Sequence, residues 1–165
     1  MNLSKELRKA MQQHSGYLIP SYPNLYNKVI QTLLQPFKIR KIDKIVSIEA
    51  KGFCYGPTIA YKLDKPFIPV FKSGRVPTDF VLSQHYKDYS KKTKSLDLGK
   101  ICIQQGDRVL IVDDVFETGA SGKATIRLIE KLGGKVIGVS IIYNKMRKQD
   151  ELFFKKYNLK YLLRC

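Results

Sequence analysis

One stretch of this chain constrains its fold more than any other. Val109-Leu110-Ile111-Val112 runs straight into Asp113-Asp114 and, after Val115-Phe116-Glu117, into Thr118-Gly119-Ala120-Ser121. An unbroken apolar run of this length reads as a strand buried on both faces, the pattern of a parallel sheet covered by helices. Its abrupt end in two acids marks the edge of that sheet, where side chains leave the core. Ala124, Leu128 and Leu132 then recur at helical spacing up to Gly133, which reads as a stop.

The rest of the chain repeats the alternation. Lys44–Ile48, Pro66–Phe71 and Lys135–Tyr143 are further apolar runs, separated by helical patterns over Leu3–Gln13, from Asn24 to Pro36, and over Phe53–Leu63. Asn24 reads as the cap of the second helix, with Leu25, Val29 and Leu33 as its inner stripe. The expected class is α/β: a mostly parallel twisted sheet flanked by helices, with ligands gathered at the carboxyl ends of its strands. At 165 residues one domain is expected over 1–165, with residues 1–40 as a small helical hood. Residues 72–106 are polar, rich in lysine and too long for a plain connection. They read as a lid excursion, with antiparallel strands at Thr78–Gln84 and Ser95–Ile103 and a mobile tip at Tyr86–Lys94.

Composition narrows the class of partner. Thirty Lys and Arg against fourteen Asp and Glu leave +16, which favours a negative partner. Nucleic acid is the general reading of such a charge, and a substrate carrying a phosphate and a pyrophosphate is an equally good target. The lysines are spread along the chain rather than gathered in one tract, which also suits a lysine-rich surface that reflects composition alone. Cys54, Cys102 and Cys165 share no metal-binding or disulfide spacing, which points to a reducing compartment and to no metal held by cysteine. No run approaches the ~20 apolar residues of a membrane span, so a soluble cytoplasmic protein is expected.

The acid pair and the turn after it suit one kind of ligand. Backbone N–H groups at a helix start form a phosphate site, helped here by the hydroxyls of Thr118 and Ser121. Two adjacent carboxylates can take hydrogen bonds from a sugar diol. This segment resembles the binding motif for phosphoribosyl pyrophosphate (PRPP) of the type I phosphoribosyltransferases: apolar residues, two acids and a Thr-Gly-x-Ser/Thr turn, with Ala120 in place of a usual glycine. Ser47-Ile48-Glu49-Ala50-Lys51-Gly52-Phe53 is similar to the pyrophosphate loop of the adenine enzymes, Ile-Glu-Ala-Arg-Gly-Phe. Val70-Phe71-Lys72-Ser73-Gly74-Arg75-Val76-Pro77 resembles Val-Arg-Lys-x-Gly-Lys-Leu-Pro, with Phe71 in place of an arginine.

The resemblance, carried over residues 44–165 and ending in a strand at Tyr161–Leu163, implies a purine phosphoribosyltransferase of nucleotide salvage. Such an enzyme moves ribose 5-phosphate from PRPP, with Mg²⁺, to N9 of a purine and releases pyrophosphate; the family usually forms homodimers. It implies that Asp113 and Asp114 hold the ribose hydroxyls and that Thr118, Gly119, Ala120 and Ser121 wrap the 5-phosphate. Glu49, Ala50, Lys51, Gly52 and Lys72 would serve the pyrophosphate, and Tyr89, Ser90, Lys91, Lys92 and Lys94 would close over it. No residue is assigned directly to the metal.

For the base, Glu117 stands where hypoxanthine-guanine enzymes have an acid facing N7, and Lys145 falls near a lysine that reads a 6-oxo group. Together with a loop lacking the adenine enzymes' Leu-Glu-Tyr-Gly, this leans to a 6-oxopurine, with adenine second. Phe116, Tyr17 and Tyr143 are the aromatic candidates for stacking on the base. The main rival is a PRPP-binding regulator of nucleic acid built on the same fold.

Overall fold

β1 (Lys44–Ile48) and β5 (Arg108–Phe116) lie side by side and parallel in the middle of the sheet, with Ile45 opposite Leu110. Both strands are apolar on both faces, and both faces are covered. The computed structural model describes residues 2–14, 17–88, 90 and 92–165. With β2 (Phe67–Lys72), β3 (Val81–Lys87), β4 (Thr93–Gly99), β6 (Lys135–Asn144) and β7 (Leu159–Arg164), a seven-stranded sheet forms in the order β3-β4-β2-β1-β5-β6-β7. β2, β1, β5, β6 and β7 run parallel, and the β3–β4 pair is antiparallel.

Alternate residues of the central strands feed two cores. Val46, Ile48, Val109 and Ile111 pack with Ala124, Leu128 and Ile129 of α4 (Ala120–Lys131). Ile45, Leu110 and Val112 pack on the other face with Leu7 of α1 (Leu3–His14), Val29, Ile30 and Leu33 of α2 (Pro23–Leu34) and Ile59 of α3 (Gly56–Leu63). Each fully buried aliphatic side chain contributes on the order of 1.5–3 kcal/mol, so this sandwich fixes where the strands end, and with them the site. The α/β class and the covered parallel sheet are as the sequence predicts.

Several local expectations shift. α2 starts at Pro23 with Tyr22 before it and has no side-chain cap, so Asn24 is inside the helix rather than at its end. Proline suits the first helical position because its missing N–H would have no partner there. α3 starts at Gly56, after a single 3-10 turn over Lys51–Cys54. Within residues 72–106, the antiparallel strands expected at Thr78–Gln84 and Ser95–Ile103 stand at Val81–Lys87 and Thr93–Gly99 and form a hairpin that widens the sheet. β4 pairs with β2 at Phe71↔Asp97 and Lys72↔Leu96, and with β3 along the whole length of both. Leu96 and Leu98 are fully buried and pull β4 onto the core. The expected tip is accordingly shorter: Tyr86 belongs to β3 and Lys94 to β4.

Candidate functional site

A cleft of about 670 Å³ opens at the carboxyl ends of β1 and β5. β5 delivers Asp113, Asp114 and Val115 to it, the following turn delivers Glu117 to Ser121, and the segment after β1 delivers Glu49, Ala50 and Lys51. Lys72 closes one side from the end of β2, and Tyr86, Asp88 and Lys94 reach in from the hairpin. Three separated stretches of sequence thus meet at one sheet edge, where an open parallel sheet places its ligands.

The acid pair forms the floor. Asp113 Oδ1 accepts a hydrogen bond from the Asp114 backbone N–H at 2.9 Å, and Asp114 Oδ2 lies 3.8 Å from Lys51 Nζ. Burial pushes the Asp113 carboxyl well above its ordinary range, and the Asp114 charge pushes it further. Burial raises Asp114 too, with Lys51 opposing the shift. Two buried carboxyls side by side resist ionising together, so this floor favours a ligand that brings positive charge or hydroxyl donors.

The opposite wall is the start of α4. Gly119 has φ +72° and is the residue before the helix, and the Ala120 N–H reaches Thr118 Oγ1 at 3.3 Å. A Cβ at Gly119 would stand 2.6 Å from Met146 Sδ and from the Phe154 ring, so the turn rests directly on the core. Residues 118–121 line this end of the cleft, and the first turn of a helix carries N–H groups without intrahelical partners, which suits a phosphate monoester. The Glu49–Ala50 peptide bond on the facing loop is cis.

Of the residues expected to serve the phosphate and pyrophosphate, Thr118, Gly119, Ala120, Ser121, Glu49, Ala50, Lys51 and Lys72 all line the cleft. Gly52 does not line it; it is buried behind Asp113. Among the expected closing residues, Lys94 lines the cleft as part of β4, Ser90 and Lys92 lie in the connection between the hairpin strands, and Tyr89 and Lys91 lie outside the described residues.

The aromatic candidates for the base do not reach the cleft. Phe116 is 1% exposed and packs on Phe154, with ring centroids 5.2 Å apart. Tyr143 is buried against the hood, donates its hydroxyl proton to the Leu7 carbonyl at 3.1 Å and is pushed by that burial up to about 12. Tyr17 is half-exposed and does not line the cleft. On strands buried on both faces, an aromatic residue belongs to the core by default. Tyr86 is the aromatic side chain among the described residues that line the cleft.

Glu117 and Lys145, expected to read a 6-oxopurine, meet each other instead: Lys145 Nζ lies 2.9 Å from Glu117 Oε1. Glu117 lines the cleft and Lys145 does not. Asp88 was missed by sequence reasoning, since a single aspartate in a lysine-rich stretch carries no local pattern. It lines the cleft, pairs with Lys94 and accepts from both the N–H and the hydroxyl of Ser90. Those contacts, Lys94 first, hold its carboxyl near 2.

Comparison with known proteins agrees with this geometry. The sequence model of a family described as "Phosphoribosyl transferase domain" matches residues 21–162. The adenine phosphoribosyltransferase of Thermotoga petrophila is 36% identical over 138 residues, which cover 84% of this chain and 80% of that protein. The crystal structure of adenine phosphoribosyltransferase from Rhodothermus marinus superposes with a TM-score of 0.80 at 34% identity, over 88% of this chain and 82% of the other. The Giardia lamblia enzyme, in a structure complexed with 9-deazaadenine, gives a TM-score of 0.80 at 28% identity over 89% and 83%.

Proposed function

The chain belongs to the phosphoribosyltransferase family, in the purine branch of its type I members, and on that premise we propose that the base it salvages is adenine. One observation carries the phosphoribosyltransferase reading of the cleft, its gathering of the buried acid pair, the phosphate turn and the lysines of two loops, and the relatives favour adenine as the base. The preference for a 6-oxopurine expected from the sequence is set aside. Its two residues neutralise each other in an ion pair, and the relatives just described are adenine enzymes.

In this reading PRPP lies across the sheet edge. Its 5-phosphate sits on the N–H groups of residues 118–121, its ribose hydroxyls donate to Asp113 and Asp114, and its pyrophosphate extends toward Lys51 and Lys72. Tyr86 is the aromatic surface offered to the adenine ring. The chemistry asks little of covalent catalysis, because the sugar carbon becomes cation-like as pyrophosphate departs; holding the base in line and stabilising the leaving charge supply most of the rate.

The donor set also fits Mg²⁺. Asp113 and Asp114 are adjacent carboxylates on the floor of the cleft and would be the hard oxygen donors for it. Mg²⁺ is commonly held by one or two carboxylates with water and substrate phosphates completing its octahedron. When bound, it would neutralise the pyrophosphate as that group leaves.

We also propose a homodimer, supported by the resemblance and by Phe80 and Ile101. Both are more than two-thirds exposed at the base of the hairpin, where the Lys100 N–H donates to the Phe80 carbonyl. Sedimentation at twice the 19.0 kDa of one chain is expected. The functional test is pyrophosphate release from PRPP and Mg²⁺ with adenine, hypoxanthine, guanine, xanthine and orotate in turn. Adenine should turn over fastest, and turnover of hypoxanthine or guanine ahead of adenine would refute the assignment. Salt-dependent DNA binding with no turnover on any base would favour the regulator.

A further inference from the structure

Glu49 is a carboxylate on the wall of a cleft whose reading here is a pyrophosphate site, and a bare carboxylate there would repel its ligand. The structure shows what occupies it. Glu49 Oε2 accepts the Lys72 backbone N–H at 2.8 Å, Oε1 lies 3.2 Å from Arg75 NH1, and the Glu49 N–H donates to the Val70 carbonyl at 2.9 Å. The turn that carries Arg75 is fastened from the other side as well. Ser73 N–H donates to the Ser95 carbonyl, and Gly74 N–H donates to Oδ2 of the buried Asp97. Arg75 therefore follows a segment, Lys72 to Gly74, anchored to both the Glu49 loop and β4, with its side chain 63% exposed and its guanidinium against a residue of the cleft wall.

The residue before Lys72 points elsewhere. Phe71 packs edge-on against Phe53, with ring centroids 5.5 Å apart, and Phe53 in turn meets Phe67. Position 71 is committed to an aromatic cluster and offers the cleft no charge.

We propose that Glu49 is a positioning residue which holds Arg75 at the mouth of the cleft as the second pyrophosphate cation beside Lys72, making good the charge that Phe71 does not supply. This rests on the phosphoribosyltransferase reading of the cleft. A guanidinium has five N–H donors, and a contact to Glu49 through NH1 leaves the others for two phosphate oxygens at once. Glu49 keeps the flexible side chain in place before the ligand arrives, so less ordering is left for the binding step.

The test is titration of inorganic pyrophosphate with Mg²⁺ into the intact chain by calorimetry, alongside KM for PRPP and for adenine. Arg75→Ala should weaken pyrophosphate and raise KM for PRPP about tenfold, the scale of one charge-assisted contact, with KM for adenine little moved. Arg75→Lys should recover only part of this. Glu49→Gln keeps an acceptor for the Lys72 N–H but loses the ion pair, and should weaken pyrophosphate a few-fold in the native background and not at all in Arg75→Ala. That non-additivity is a signature a purely structural role would not give. Wild-type pyrophosphate affinity in Arg75→Ala, with Lys72→Ala impaired, would overturn the inference alone. A native chain that binds no pyrophosphate would overturn the functional reading and this inference together.

Discussion

Gly52 backs directly onto Asp113: a Cβ on Gly52 would lie 2.7 Å from Asp113 Oδ1 and 3.2 Å from the Ser47 Cβ. The glycine of the proposed pyrophosphate loop thus also sets the position of the first acid of the proposed ribose site, two stretches some sixty residues apart in sequence. Gly52→Ala should displace Asp113 and lower kcat/KM for PRPP by at least about tenfold, since small misplacements in a preorganised site are costly. Circular dichroism should show the fold retained. An unimpaired Gly52→Ala enzyme would mean that the Asp113 position does not matter.

Asp113 and Asp114 give the apo fold an unusual pH dependence. Asp113 binds its proton more tightly in the fold than in the unfolded chain, because burial and then the neighbouring charge raise it. Its contribution to stability is therefore complete below the ordinary carboxyl range of about 3.9 and is lost as pH rises through the higher folded value. Asp113→Asn keeps an oxygen to accept the Asp114 N–H and removes the buried charge. It should raise the melting temperature at pH 8, by about 2–4 °C for each kcal/mol regained in a chain of this size, while reducing turnover by at least about 10²-fold. Equal or lower melting temperatures for the variant at pH 8 would contradict a strained acid pair; activity close to native would remove it from the site.

The acid pair and phosphate turn were legible because they break a pattern sharply: four buried aliphatics, two acids, then Thr-Gly-Ala-Ser. The base side was not, for two physical reasons. Phe116 and Tyr143 lie on strands buried on both faces, where period-two alternation disappears and nothing local says whether a ring faces ligand or core. Asp88 and Tyr86 belong to a hairpin whose exposed residues are polar, and only its pairing with β2 brings them to the cleft. Leu96 and Leu98 carry an apolar signal in the sequence, but alternation alone does not say which strand they pair with, and it is the pairing with β2 that places β4 in the main sheet.

The Glu117–Lys145 pair decides between base preferences. Both side chains are a third to a half exposed, so the pair is worth about 0–1 kcal/mol. Glu117→Ala should change kcat with adenine by less than about threefold, below the 10²–10⁴-fold typical of a lost general acid or base, and leave the melting temperature nearly unmoved. A drop of 10²-fold with adenine would make Glu117 a proton-transfer group, and turnover of hypoxanthine or guanine by the native chain that is lost in Glu117→Ala would reopen the 6-oxopurine reading.

Gly119 and Ala120 separate two demands that the phosphate turn places on its backbone. The left-handed residue is Gly119, at φ +72°, whereas Ala120 is the first residue of α4 and is not among the described residues with positive φ. Alanine at 120 therefore meets no left-handed backbone, although the motif this turn resembles has glycine there. Ala120→Gly should leave KM for PRPP within about twofold and cost at most about 1 kcal/mol through helix propensity. Gly119→Ala faces a left-handed backbone, worth roughly 1–2 kcal/mol, together with contacts of 2.6 Å to Met146 and Phe154. It should raise KM for PRPP by about tenfold or more, since 1.4 kcal/mol corresponds to one decade, and lower the melting temperature. Steady-state kinetics at varied PRPP, with thermal denaturation of the same preparations, measures both variants. Tighter PRPP binding by Ala120→Gly, or native behaviour of Gly119→Ala, would show that the positive φ the phosphate needs falls one residue later than this turn places it.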